Sequence, residues 1–120
     1  MNSDIEAILG NTAPVNINQL LETIFWKKKE LVPEAKKLLD HIKEWNRTGN
    51  PYTVDEWKRY CAKNSISQSS YHNMLKRLKN AGMVGKRYNS YQKKHELHLT
   101  EKFSELMRGK AGLWERYIRE

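Results

Sequence analysis

Between Ser67 and Arg77 the chain reads Ser-Gln-Ser-Ser-Tyr-His-Asn-Met-Leu-Lys-Arg, a stretch with hydroxyls, amides, an imidazole and two cations but no acid. Gln68, Ser69, Ser70, His72 and Asn73 are donors and acceptors of the kind that read base edges, and Lys76 and Arg77 suit phosphates. A merely solvated helix face more often mixes Glu with Lys for local pairing. Further on, Lys86, Arg87, Tyr91, Lys93 and Lys94 repeat the theme, four cations and an aromatic within nine residues. The expected chemistry is recognition of a polyanion: amides and hydroxyls for bases, cations for phosphates, and Tyr91 or a lysine near it for a minor groove.

The elements that must position these side chains follow from the pattern. Tyr71, Met74, Leu75 and Leu78 fall at i, i+3, i+4 and i+7, which predicts a helix over 67–81 with one apolar stripe. Ser67 supplies a hydroxyl for the free N–H groups of the first turn, and Gly82 marks the exit. Met83–Tyr88 and His95–Leu99 alternate apolar and polar residues as half-buried strands do, with Asn89–Lys94 as a polar hairpin tip.

The run S-Q-S-S-Y-H-N-M-L-K-R-L-K-N-A-G-M-V from Ser67 to Val84, followed by H-E-L-H-L-T from His95 to Thr100, resembles the winged helix-turn-helix superfamily. The likeness is greatest to repressors of the multiple-antibiotic-resistance and phenolic-acid types, and covers Pro33 to about Met107. Ser67, Leu78, Gly82, Val84, Leu99 and Thr100 stand where that pattern has its serine start, its leucine before a polar triplet and glycine, and its second wing strand. The resemblance implies a recognition helix, a β-wing and a twofold dimer built on added terminal helices. The Asp-X-Arg signature of the antibiotic-resistance wing tip is absent, which leaves the tip contact to Lys93 and Lys94.

Net charge is +8 and pI about 9.6. Residues 67–98 hold seven cations and one acid, so +6 of the excess lies on the proposed helix and wing, which general solubility does not require. Cys61 is the single cysteine, so no internal disulfide forms, and it reads as a small buried side chain. Met1–Gly10 is acidic and lacks the apolar core of a signal peptide, and no stretch reaches the ~20 apolar residues of a membrane span. A cytoplasmic, DNA-associated protein without membrane partner is expected.

The fold class expected is mainly α (α+β): a winged helix-turn-helix over 33–100, a helical extension over 1–32 and a C-terminal helix over 101–120. Ser3–Leu9 reads as a short helix. Asn16 caps a second, in which Ile17, Leu20, Leu21, Ile24 and Phe25 form a stripe; Lys27-Lys28-Lys29 after it reads first as a solvated helix end, with a phosphate contact as the alternative. Pro33 opens a helix with Ala35, Leu38, Leu39, Ile42 and Trp45 inside. Thr53 and Glu56 have capping-box spacing before a helix whose inner side is Val54, Trp57, Tyr60 and Cys61. Thr100 caps the last helix, with a bend or break expected near Lys110 between Gly109 and Gly112, or close approach of a partner helix there instead. The stripe from Ile17 to Phe25, together with Trp114, Tyr117 and Ile118, is expected at a homodimer interface, with folding back onto the chain's own core as the alternative.

Little points to catalysis. Gly82-Met83-Val84-Gly85-Lys86 lacks the spacing of a phosphate-binding loop. His95 and His98, three apart on a strand, face opposite sides and cannot share a metal. Asp55-Glu56 serves better as first-turn helix charge than as an acid–base pair. The expectation is a dimeric, sequence-specific reader of double-stranded DNA controlling transcription, with no catalytic residue, cofactor or metal. An adaptor or architectural role in replication, partition or chromatin is the alternative.

Overall fold

The computed structural model describes residues 13–120; the helix expected at Ser3–Leu9 lies outside them. The chain is mainly helical, with one small antiparallel sheet, an α+β arrangement. Helix α1 (Ile17–Ile24) begins where Asn16 Oδ1 accepts the Gln19 N–H at 2.9 Å. A 3₁₀ turn at Lys29–Leu31 leads into α2 (Val32–Arg47), with Pro33 in its first turn, where a missing N–H costs least.

The stripe on α1 folds onto the chain's own core. Leu21 and Phe25 are fully buried beside Ala35, Leu38 and Ile42, and Leu20 and Ile24 are partly covered. This corrects the expected role of α1 as a dimer seam: α2 presents a complementary apolar face, and burying each large side chain there stabilises by ~1.5–3 kcal/mol. Only Ile17 remains substantially open.

After α2 the chain forms a two-residue strand, β1 (Tyr52–Thr53), which the sequence pattern did not reveal. Tyr52 is fully buried, and its hydroxyl meets that of Tyr71 at 3.1 Å. Thr53 therefore does not cap a helix: its hydroxyl donates to Asp55, Glu56 pairs with Arg59, and a 3₁₀ turn at Val54–Glu56 precedes α3 (Trp57–Asn64). The capping-box spacing is coincidental because pairing with β3 holds Thr53 in place. Val54, expected inside, is exposed, while Tyr60 and Cys61 are buried as expected.

Helix α3 ends at Ser65, which takes a left-handed conformation (φ 53°), and Ile66 donates back to the Cys61 carbonyl at 3.1 Å. Three residues thus separate α3 from α4 (Gln68–Asn80). Ser67 caps α4 by accepting the Ser70 N–H at 3.1 Å. Its far end closes as a Schellman motif, with Gly82 N–H to Lys79 O and Met83 N–H to Leu78 O, both 3.0 Å, and Gly82 at φ +85°. Tyr71, Met74, Leu75 and Leu78 bury the expected stripe.

Strands β2 (Val84–Asn89) and β3 (Lys94–Leu99) form the hairpin, and β1 adds to the other edge of β3, giving the order β1-β3-β2. Asn46 extends that edge from α2, accepting the Leu99 N–H at 3.2 Å. Helix α5 (Lys102–Arg119) follows, its Lys102 N–H held by Thr100 Oγ1. It is continuous through Gly109 and Gly112, so the chain makes no break near Lys110. Phe103 alone reaches the core; Leu113, Trp114, Tyr117 and Ile118 stay about 60–70% exposed.

Candidate nucleic-acid interface

Helix α4 buries one side, so at 100° per residue Ser69, Asn73, Lys76 and Asn80 point directly away from the core. Gln68, His72 and Lys79 flank that row on one side; Ser70 and Arg77 flank it on the other. The base-reading residues expected from sequence therefore share one outward surface, with two refinements. The Ser70 hydroxyl joins Ser67 at 3.0 Å in the cap and is half-buried, so its freedom to meet another group is reduced. His72 lies 5.5 Å from Trp57 and 5.3 Å from Tyr71, ring to ring, with Nδ1 2.9 Å from the Gln68 carbonyl. A carbonyl only accepts, so Nδ1 carries the proton and Nε2 of the neutral ring is the acceptor.

The phosphate-binding set divides. Lys76, Arg77, Lys86 and Lys93 have no ion pair among the described residues. Arg87 and Lys94 do: Arg87 Nε donates to Glu96 at 2.5 Å, and Lys94 Nζ to Asp55 at 2.7 Å. The sheet register causes this, since Arg87 stands opposite Glu96 on one face. Glu96 also accepts from Asn89 at 3.1 Å, and these two hydrogen bonds hold its carboxyl below the usual glutamate range. The Asp55 carboxyl is held low chiefly by Lys94, then by Thr53. Both cations thus have an acidic partner within the chain, which a phosphate contact has to share or displace.

The hairpin tip is ordered by Asn89, whose Oδ1 accepts the N–H groups of Tyr91 and Gln92 at 3.0 Å each. Lys93 turns there with φ 54°, and Tyr91 stands 97% exposed. His95 pairs with Tyr88 on one face, and His98 lies beside Gly85 on the other, as their spacing required. Among the described residues, no group of three or more His, Cys, Asp or Glu could hold a metal ion.

Two further cations join this surface: Lys79, outside the expected set, and Lys28, from the lysine run read first as a solvated helix end. Lys79, on the hairpin side of α4, has an amine pushed below the usual lysine range by burial and then by Lys86. Its seven-residue spacing from His72 was the available signal. Lys28, from the turn after α1, lines a surface hollow of about 320 Å³ with Asn73, Lys76, Arg77 and Asn80. No local pattern could have placed it there, because α1 meets α4 only in the folded chain.

A second surface is apolar. Leu20, Phe103 and parts of α2 line one groove of about 390 Å³; Leu20, Ile24, Leu106 and Met107 line another of about 420 Å³, which runs onto the exposed stripe of α5. No helix among the described residues is long and apolar enough to cross a membrane. Cys61 is buried and its thiol pushed up by burial. No curated protein and no solved structure matches the chain. Residues 14–120, which take in every element from α1 to α5, match the model of an archaeal protein family, and the chain belongs to that archaeal family.

Proposed function

We propose that the protein binds duplex DNA as a winged helix-turn-helix, with α4 as recognition helix and β2–β3 as wing, and acts as a dimeric, sequence-specific regulator of transcription. The observation that carries this reading is the acid-free outer face of α4, where Ser69, Asn73, Lys76 and Asn80 form one row flanked by Arg77, Lys79 and Lys86. A helix of this width enters a major groove, its amides meeting base edges and its cations the bordering phosphates. Tyr91 and Lys93 at the exposed tip reach the neighbouring minor groove.

The dimer rests on α5. Its stripe of Leu106, Leu113, Trp114, Tyr117 and Ile118 is exposed, and pairing of two copies covers it. Twofold symmetry then calls for half-sites ~34 Å apart, one turn of DNA.

Selection of bound duplexes from a random library tests the reading. The expected outcome is a near-palindromic site, with Asn73→Ala changing the preferred sequence and Arg77→Ala weakening binding to all sequences. Absence of binding to any duplex at low salt removes the reading. The exposed aromatics of α5 also favour a second one, an adaptor whose main partner is protein; it gains if duplex binding is absent while α5 variants lose an assembly.

A further inference from the structure

We infer that the hollow between α4 and the turn after α1 is a preorganised phosphate seat, and, on the DNA-binding reading above, that a single backbone phosphodiester occupies it. Lys28, Lys76 and Arg77 converge there with the side-chain amides of Asn73 and Asn80, and none of the three cations has an ion pair among the described residues. Three like charges around one hollow repel each other, and an anion among them reverses the sign of that interaction.

Two features hold the Arg77 guanidinium and the backbone of Lys28 in place before any ligand arrives. The Arg77 guanidinium lies over the Phe25 ring, 6.0 Å from its centroid, and Phe25 is fully buried. The backbone that carries Lys28 is tied on both sides: its N–H donates to the Phe25 carbonyl at 2.8 Å and its carbonyl accepts the Leu31 N–H at 2.9 Å. Phe25 therefore fixes both, one through its ring and the other through its carbonyl. Residues with donor side chains from two elements line one hollow beside the outward row of α4, a chemistry that suits an oxyanion with several acceptor oxygens. The seat lies on the Arg77 side of the row and the hairpin on the Lys79 side, so base-reading residues run between two phosphate contacts and the helix register is set from both edges.

The test uses the full chain in two measurements. In the first, inorganic phosphate is titrated at low ionic strength while the side-chain amide resonances of Asn73 and Asn80 are followed by NMR. Saturable shifts of both, lost in Lys28→Gln, are expected; unmoved amides overturn the seat. In the second, duplex affinity is measured against salt for the wild type, Lys28→Gln and Lys29→Gln, surface changes that leave the core untouched. Lys28→Gln is expected to make the log–log slope shallower by about 0.9, one phosphate contact, and Lys29→Gln by less than half of that. Equal effects point to a diffuse field and overturn the seat. Duplex binding with unmoved amides rejects the seat and keeps the DNA reading; amide shifts without duplex binding keep the phosphate site and reject DNA as its source.

Discussion

Raising salt from 50 to 200 mM probes the whole interface at once, and the ion pairs set the size of the effect. Among the described residues, Lys28, Lys76, Arg77, Lys79, Lys86 and Lys93 lie on or beside α4 and the hairpin without an acidic partner. Arg87 and Lys94 are held by Glu96 and Asp55. Six phosphates neutralised per protomer give a log–log slope on the order of −5, so the fourfold rise in salt lowers affinity about a thousandfold per bound protomer. Fluorescence anisotropy with a labelled duplex across five or six salt concentrations measures the slope directly. Lys76→Gln is expected to remove about 0.9 of it, whereas Lys94→Gln leaves it nearly unchanged, since that charge is already compensated. A slope shallower than about −2, or a Lys94→Gln effect equal to that of Lys76→Gln, refutes this division of the cations.

Gly82 joins α4, β2 and α5. At φ +85° a Cβ there comes 2.8 Å from the Phe103 N atom, which donates to the Gly82 carbonyl. Gly82→Ala is expected to lose about 2–3 kcal/mol from left-handed strain and the disturbed hydrogen bond, lowering Tm on the order of 10–15 °C in a thermal melt; a shift under ~3 °C contradicts the packing described. Trp114→Glu is expected to give sedimentation at the 14.2 kDa of one chain where the wild type sediments as two, with the helical signal retained; a wild type that is monomeric at high concentration rejects α5 as the dimer seam. Because the Glu96 carboxyl is depressed in the folded chain, its stabilising contribution is full above the ordinary value near 4.5 and is lost as pH falls through its lower folded value. Glu96→Gln should therefore lower stability at pH 7 and flatten the acid limb of stability against pH below about 4.5; an unchanged acid limb removes the Arg87–Glu96–Asn89 network as its cause.

What the sequence by itself determined is local. The periodicity of Tyr71, Met74, Leu75 and Leu78 requires a helix, and Ser67 and Gly82 bound it, because a 3.6-residue repeat permits one way of burying those side chains. Burial of that stripe leaves the polar row of α4 outside. The hairpin about Asn89–Lys94 forms as expected, but burial along its strands does not alternate: Val84, Glu96 and Leu97 are buried and Tyr88 is exposed. Tertiary structure decided what depends on residues distant in the chain. Register put Arg87 against Glu96, and the approach of Asp55 to Lys94 across 39 residues took a second cation out of the free set. Strand β1 is too short to carry a period, and only its pairing with β3 defines it. The two apolar terminal stripes look alike in sequence, yet α1 closes on α2 while α5 projects beyond the core, since burial depends on which face lies within reach. Lys28 and Arg77 meet around Phe25 for the same reason: charge lies in the composition, but its convergence on one hollow is a property of the packed helices.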